Sequence, residues 1–346
     1  MRAIGHLPDG GTVGDFHPLC GKLIPCLRDQ HMNLSATIPI EERYRESYDR
    51  FPALNLVGNT RMVEILCFRE EFPGVRIFAK AEFTNPGGSL KDRPVRRMLL
   101  EAMMAGELEG GRAVLDSSSG NAGIAYAMIG AMMKVPVHIV VPGNASKERK
   151  MRIRAHGATL IQTDPLEGYD EALRECHRIA AANTDRFFHC DQYSNDNNWQ
   201  AHYDTTAVEI LEQMEGGVTH FVSGIGTGGT LTGVGRRLKK DLPAVEIVQI
   251  VPEVFPGIEG LKPLESPGDI IPKILDTSVV DRKIPVSSDA SARMCSLLAR
   301  YGLFAGQSSG AYLQGVYETA SRIGEGVIVT ILNDIGERYM STALWE

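Results

Sequence analysis

The sequence predicts an α/β protein whose parallel sheet strands carry helices on both faces. Two observations predict it. Apolar, β-branched runs alternate with segments of helical period along most of the 346 residues. Several of those runs also end in clusters of small residues from which a helix begins, as expected where a buried parallel strand turns into its crossover.

Taken in order, residues 1 to 40 are rich in Gly and Pro and lack periodicity, and EERYRESYDRF is the first helix. After the short apolar-and-turn segment LNLVGNTRMVEI, the alternation begins: VRIFAKAEF strand, DRPVRRMLLEAMMAGEL helix, RAVLDS strand, GIAYAMIGAMMKV helix. VPVHIVVP, SKERKMRIRAHG, ATLIQT and YDEALRECHRIAAAN repeat it. It resumes with THFVSG, GGTLTGVGRRLKK, VEIVQIVP, DASARMCSLLARYG and the late strand GVIVTILND. The prolines and glycines of PEVFPGIEGLKPLESPGDIIPKILD exclude a long element there and predict a loop that shapes a pocket.

A net charge of -7 with no long basic run argues against a nucleic-acid partner. The N-terminus shows neither a signal peptide nor a membrane span, so the expected location is cytoplasmic. Six scattered cysteines fit neither a disulfide framework nor a zinc ribbon, and most are expected to be small buried hydrophobes. His17, Cys20, Cys26 and His31 cluster without a recognisable ligand spacing, so no metal site is assigned.

Four stretches carry chemistry. In NPGGSLKDR, Lys91 follows Pro86, Gly87, Gly88 and Ser89; alone, this reads as a capped turn with a solvated lysine. In AVLDSSSGNAGIAYA, Ser117 to Ala122 form a small-residue loop before a helix, whose bare N-terminal amides suit a carboxylate. In HFVSGIGTGGTLTGVG, Gly224, Gly226, Gly228 and Gly229 alternate with Thr227 and Thr230, a cradle for a single phosphate more than for a dinucleotide, because Glu253 falls late for a ribose. In LFAGQSSGAYL, Ser308 and Ser309 lie between glycines ahead of a helix, where a hydroxyl can face a ring nitrogen.

In this order and spacing, from about Leu54 to Leu344, these stretches resemble the pyridoxal-phosphate enzymes of the cysteine synthase and cystathionine β-synthase family, fold type II. The resemblance implies two parallel-sheet α/β domains of the tryptophan synthase β-subunit-like fold. These would be an N-terminal arm (1–44), a large cofactor-binding domain (45–83 and 196–346) and a smaller mobile domain (84–195) that closes on substrate.

It also implies roles. Lys91 anchors the pyridoxal 5′-phosphate covalently and serves as base; Asn121 meets its ring hydroxyl; Gly226, Thr227, Gly228, Gly229 and Thr230 hold the phosphate; Ser308 meets the pyridine nitrogen. Ser118, Ser119, Gly120 and Ala122, with Asn121 and Gln192, receive the substrate carboxylate. Two positions depart from the family's pattern: Ala122 stands where threonine is common, and Arg61 where proline is usual.

The implied reaction is β-replacement on O-acetylserine or O-phosphoserine by a sulfur nucleophile, giving cysteine in a homodimeric enzyme with small-molecule partners only. VFPGIEGLKP and IIPKILDTSVVD look most like B-type cysteine synthases. Cystathionine β-synthase and a serine or threonine dehydratase are the alternatives. Lys262 is the charged residue nominated to meet a phosphate leaving group, although a loop lysine is more often solvated.

Overall fold

The computed structural model describes residues 40–346 apart from residue 119 and residues 266–268. The predicted N-terminal arm, with its Cys and His cluster, therefore lies almost wholly outside the described residues, as does Ser119 of the carboxylate loop.

Two short helices, α1 (Ile40–Arg43) and α2 (Arg45–Arg50), precede β1 (Met62–Glu64) and β2 (Val75–Ala81). The chain then builds a four-stranded parallel sheet: α3 (Asp92–Met104), β3 (Ala113–Ser117), α4 (Asn121–Met133), β4 (Val137–Pro142), α5 (Lys147–Ala155), β5 (Thr159–Thr163), α6 (Gly168–Ala182) and β6 (Phe187–His189). Its order is β5-β4-β3-β6. Alternation along the strands separates two apolar faces. Val114, Ile139 and Val141 pack with helix α4 residues on one side, and Leu115, Val140 and Phe187 pack with Cys176 of α6 on the other.

The remaining chain holds α7 (Asn197–Ala201), a π-helical turn at His202–Thr206, α8 (Ala207–Gln213), β7 (His220–Gly224), α9 (Gly229–Asp241), β8 (Glu246–Pro252), β9 (Arg282–Val286), α10 (Ser288–Arg300), α11 (Gln307–Ala320) and β10 (Gly326–Leu332). With β1 and β2 these strands make a six-stranded sheet, order β1-β2-β10-β7-β8-β9. It departs from the all-parallel expectation at one edge, where β1 runs antiparallel to β2. β1 and β6 are three residues long, so neither shows a readable period. The core around this sheet includes Phe221, Ile247, Ile250, Ile328 and Ile331, each fully buried or nearly so.

A charge network lies between β2 and the helices. Arg93 donates through Nε and Nη2 to Glu82 (2.7 and 2.8 Å) and through Nη1 and Nη2 to Glu209 (2.5 and 2.7 Å). Lys80 Nζ donates to Glu209 Oε2 at 2.5 Å, an oxygen that Arg93 Nη2 also reaches, and to the Thr60 carbonyl. Two cations thus face two carboxylates. Arg93 holds the Glu82 carboxyl down at about 2 against the opposing effect of its burial.

The described cysteines are unpaired; Cys176, Cys190 and Cys295 are buried, as expected of small hydrophobes, and Cys67 is half-buried. No helix among the described residues is long and apolar enough to cross a membrane.

Candidate active site

The two sheets point the carboxyl ends of β3, β7 and β10 at one cleft of about 1190 Å³, the position where open α/β sheets bind ligands. Lys91 reaches it from a turn that the chain fixes at several points. Gly88 N–H closes on the Asn85 carbonyl at 2.7 Å with Gly88 at φ +74°, a conformation that glycine takes without strain. Leu90 N–H donates to the Asn333 carbonyl (2.9 Å) and Ile335 N–H to the Gly88 carbonyl (3.2 Å), tying the turn to the end of β10. Arg152 Nη2 donates to the Pro86 carbonyl at 2.8 Å, and Arg338 donates to the Gly87 carbonyl.

Lys91 is the residue before helix α3, as the sequence predicts, but it is not solvated. Protein atoms crowd its ammonium and push its pKa down to about 8 by desolvation, while the cleft mouth keeps partial access. Its Nζ lies 3.5 Å from Thr227 Oγ1.

The loop between β7 and α9 and the first two residues of that helix carry Gly226 to Thr230. Here side chains are excluded by close neighbours: a Cβ on Gly226 would meet the Gly260 carbonyl at 2.7 Å, and one on Gly229 would meet Asn198 Oδ1 at 2.1 Å. Gly228 adopts φ +83°. The first amides of α9 have no intrahelical partner and open on the cleft. Thr227 Oγ1 accepts from Asn198 Nδ2 (3.2 Å), and the Thr230 hydroxyl and His202 Nε2 hydrogen-bond at 3.2 Å. Burial drives His202 down to about 3, so it stays neutral.

Opposite lies the loop between β3 and α4. Ser118 Oγ accepts the amides of Gly120 (3.0 Å) and Gly123 (2.8 Å), so this hydroxyl caps the helix. Asn121 Nδ2 donates to Asp334 at 2.8 Å and its Oδ1 accepts from Arg338. Ala122 lines the cleft on the first turn of α4. Gln192 is buried, its Nε2 donating to the Ser117 carbonyl at 2.7 Å. On the far side, Ser308 Oγ accepts from Asn333 Nδ2 at 2.9 Å.

All the sequence-nominated residues that are described, Lys91, Ser118, Gly120, Asn121, Ala122, Gln192, Gly226 to Thr230 and Ser308, line this one cleft. The irregular stretch after β8 closes it from above, as predicted, through Glu253 and the segment Pro256 to Pro263. Lys262 corrects the solvated-lysine reading: it pairs with Asp170 at 2.7 Å and its Nζ lies 5.2 Å from the Tyr169 and Tyr193 rings. Arg61 is exposed, which accommodates the departure from proline.

Sequence reasoning missed Arg149, Asn198, His202, Asn333 and Asp334. Arg149 sits in a basic run that reads as a solvated helix face, yet its side chain is 3% exposed, paired with Glu259 and set 5.1 Å from the centre of the Tyr339 ring.

A desolvated lysine, a glycine cradle at a helix N-terminus and a hydroxyl held by an amide fit a phosphorylated pyridine aldehyde. The chain belongs to the pyridoxal-phosphate dependent enzyme family, whose model matches residues 53–334, and within it to the cysteine synthases; pyridoxal phosphate is its cofactor.

Cysteine synthase of Aquifex aeolicus is 45% identical over 88% of this chain and 94% of its own length. Cysteine synthase B of Escherichia coli is 36% identical over 84% and 94%. Among solved structures, O-ureido-L-serine synthase superposes with a TM-score of 0.78 at 33% identity, covering 85% of this chain and 94% of that one. An O-acetylserine dependent cystathionine beta-synthase from Helicobacter pylori gives 0.76 at 30%, covering 85% and 98%.

Proposed function

We propose that this enzyme is a cysteine synthase that replaces the β-substituent of O-acetylserine by sulfide. The observation that carries the reading is the desolvated Lys91 amine, 3.5 Å from the Thr227 hydroxyl of the phosphate-type loop and sharing its cleft with the Ser118 to Ala122 loop.

When bound, pyridoxal phosphate supplies an aldehyde for the lysine and a ring that accepts electrons from the substrate's α-carbon. The protein does the rest. The amides of Gly226 to Thr230 and the Thr227 and Thr230 hydroxyls hold the phosphate. Asn121, tied to Asp334 and Arg338, is fixed to orient the ring, and Ser308 offers the ring nitrogen a neutral hydroxyl.

The substrate carboxylate sits on the amides of Gly120 to Ala122 at the start of α4, with Ser119 and Gln192 completing that site and Ser118 supporting it by capping the helix. Because burial lowers its pKa, the Lys91 amine is neutral in a large fraction of molecules near pH 8 and takes the α-proton at Nζ. Residues 84–195, which contain the whole four-stranded sheet, form the smaller domain that closes over substrate.

Among activated serines, O-acetylserine is supported by two of the cleft's cations. Arg149 is neutralised by Glu259 and Lys262 by Asp170, so neither is uncommitted for a phosphate leaving group; besides Lys91, Lys147 and Lys150 are the cleft-lining lysines outside these pairs. A homodimer and a cytoplasmic location complete the proposal on family grounds; light scattering at micromolar concentration tests the first.

The deciding experiment crosses O-acetylserine, O-phosphoserine and serine with sulfide, thiosulfate and homocysteine. Cysteine from O-acetylserine and sulfide is expected. Pyruvate without cysteine would make the enzyme a lyase, and preference for homocysteine would make it a cystathionine synthase.

A further inference from the structure

Away from the cleft, three side chains from a helix, a strand end and a turn converge at the small sheet. His177 lies on α6, His189 ends β6, and Asp191 follows two residues later. One imidazole nitrogen of each histidine and one carboxylate oxygen lie within 4.8 Å of one another. The two rings meet edge to face, centroids 5.1 Å apart.

Two of these residues carry an orphaned polar atom: His189 Nε2 and Asp191 Oδ1 are buried and without a hydrogen-bond partner. Leaving such atoms unsatisfied in the interior is costly, and a cation bound by the two residues offers them a partner. Cys176 and Asp116 form a second set with His189. Asp116, however, is already committed to the Tyr126 hydroxyl and the Ser117 and Gln192 amides, so the outer set is the better ligand group.

The geometry points to a site for a divalent transition cation, held by His177, His189 and Asp191. Two imidazoles with one carboxylate suit zinc, cobalt or nickel better than the oxygen-seeking magnesium or calcium. His177 is exposed, so further coordination positions are open to water. None of the three residues lines the cleft. Asp191 nevertheless adopts φ +48° and its carbonyl accepts the Ser194 and Asn195 amides, so a cation here would stiffen the turn that carries Gln192.

The test is calorimetric titration of chelator-stripped holoenzyme with zinc chloride. One zinc per chain with a dissociation constant below about 10 µM is expected. His177→Ala and Asp191→Asn should each weaken it at least about tenfold while cofactor absorbance and the unfolding midpoint stay unchanged. Cobalt should give visible ligand-field bands beyond the cofactor's absorption in the parent protein and not in the variants. The proposal is overturned if zinc fails to saturate below about 100 µM, or if both variants bind it like the parent, which would place the zinc elsewhere, for example on His17, Cys20, Cys26 and His31.

Discussion

Asp92 Oδ2 accepts the Gly87 amide at 2.5 Å, bracing the turn that projects Lys91. The same contact explains why residue 87 has no side chain: a Cβ there would lie 2.2 and 2.6 Å from the two carboxylate oxygens. Gly87→Ala must therefore displace either Asp92 or the turn. A loss of about 1–3 kcal/mol in chemical denaturation is expected, together with weakened cofactor absorbance, because the lysine shifts with its turn.

Asp92 also predicts a pH dependence. Burial raises its carboxyl to about 7, against the pull of the Gly87 amide and the nearby Arg338. Between about pH 4 and 7 the folded protein then holds a proton that the unfolded chain has released, so stability falls as pH rises through that window. Asp92→Asn should flatten the fall, shrinking the difference between unfolding free energies at pH 5 and pH 7.5 by about 2–4 kcal/mol. An unchanged difference would assign the proton elsewhere, Asp116 being raised in the same way.

For Lys91 the sign is opposite in chemistry and simple to read. Its amine attacks when neutral, and that fraction grows as pH rises toward its pKa of about 8. Capture of added pyridoxal phosphate by the cofactor-free protein should accelerate about tenfold per pH unit below 8 and level above it. Lys91→Ala should abolish both the cofactor's covalent absorbance and turnover.

Glu259 is expected to set leaving-group preference through Arg149. Glu259→Gln releases a buried guanidinium that faces the cleft. The ratio of kcat/KM for O-phosphoserine to that for O-acetylserine should rise by about tenfold or more, most of it in KM.

Arg93→Met should cost about 3–5 kcal/mol, because Glu82 and Glu209 would face Lys80 alone in a buried site. Urea titration with fixed cofactor concentration measures it.

The parts of this site that were legible in the sequence are those where backbone shape is the requirement. NPGGSLKDR and GTGGT need glycine for φ or for close approach, and glycine leaves a mark in a sequence. Arg149 left none, since what buries and pairs it is Glu259, from a loop far along the chain. His202 was equally silent: it reaches Thr230 from a π-helical turn, whose period departs from the helix pattern used to read the region. Strand β6 is too short for periodicity, so the convergence of His177, His189 and Asp191 at its end could be seen only in three dimensions.

The balanced group of Lys80, Glu82, Arg93 and Glu209 also constrains how this lineage can change. Replacing any one member by a neutral residue strands an opposite charge in the interior, whereas removing a cation and a carboxylate together leaves the sum at zero. These four positions, spread from residue 80 to residue 209, are therefore expected to drift in pairs.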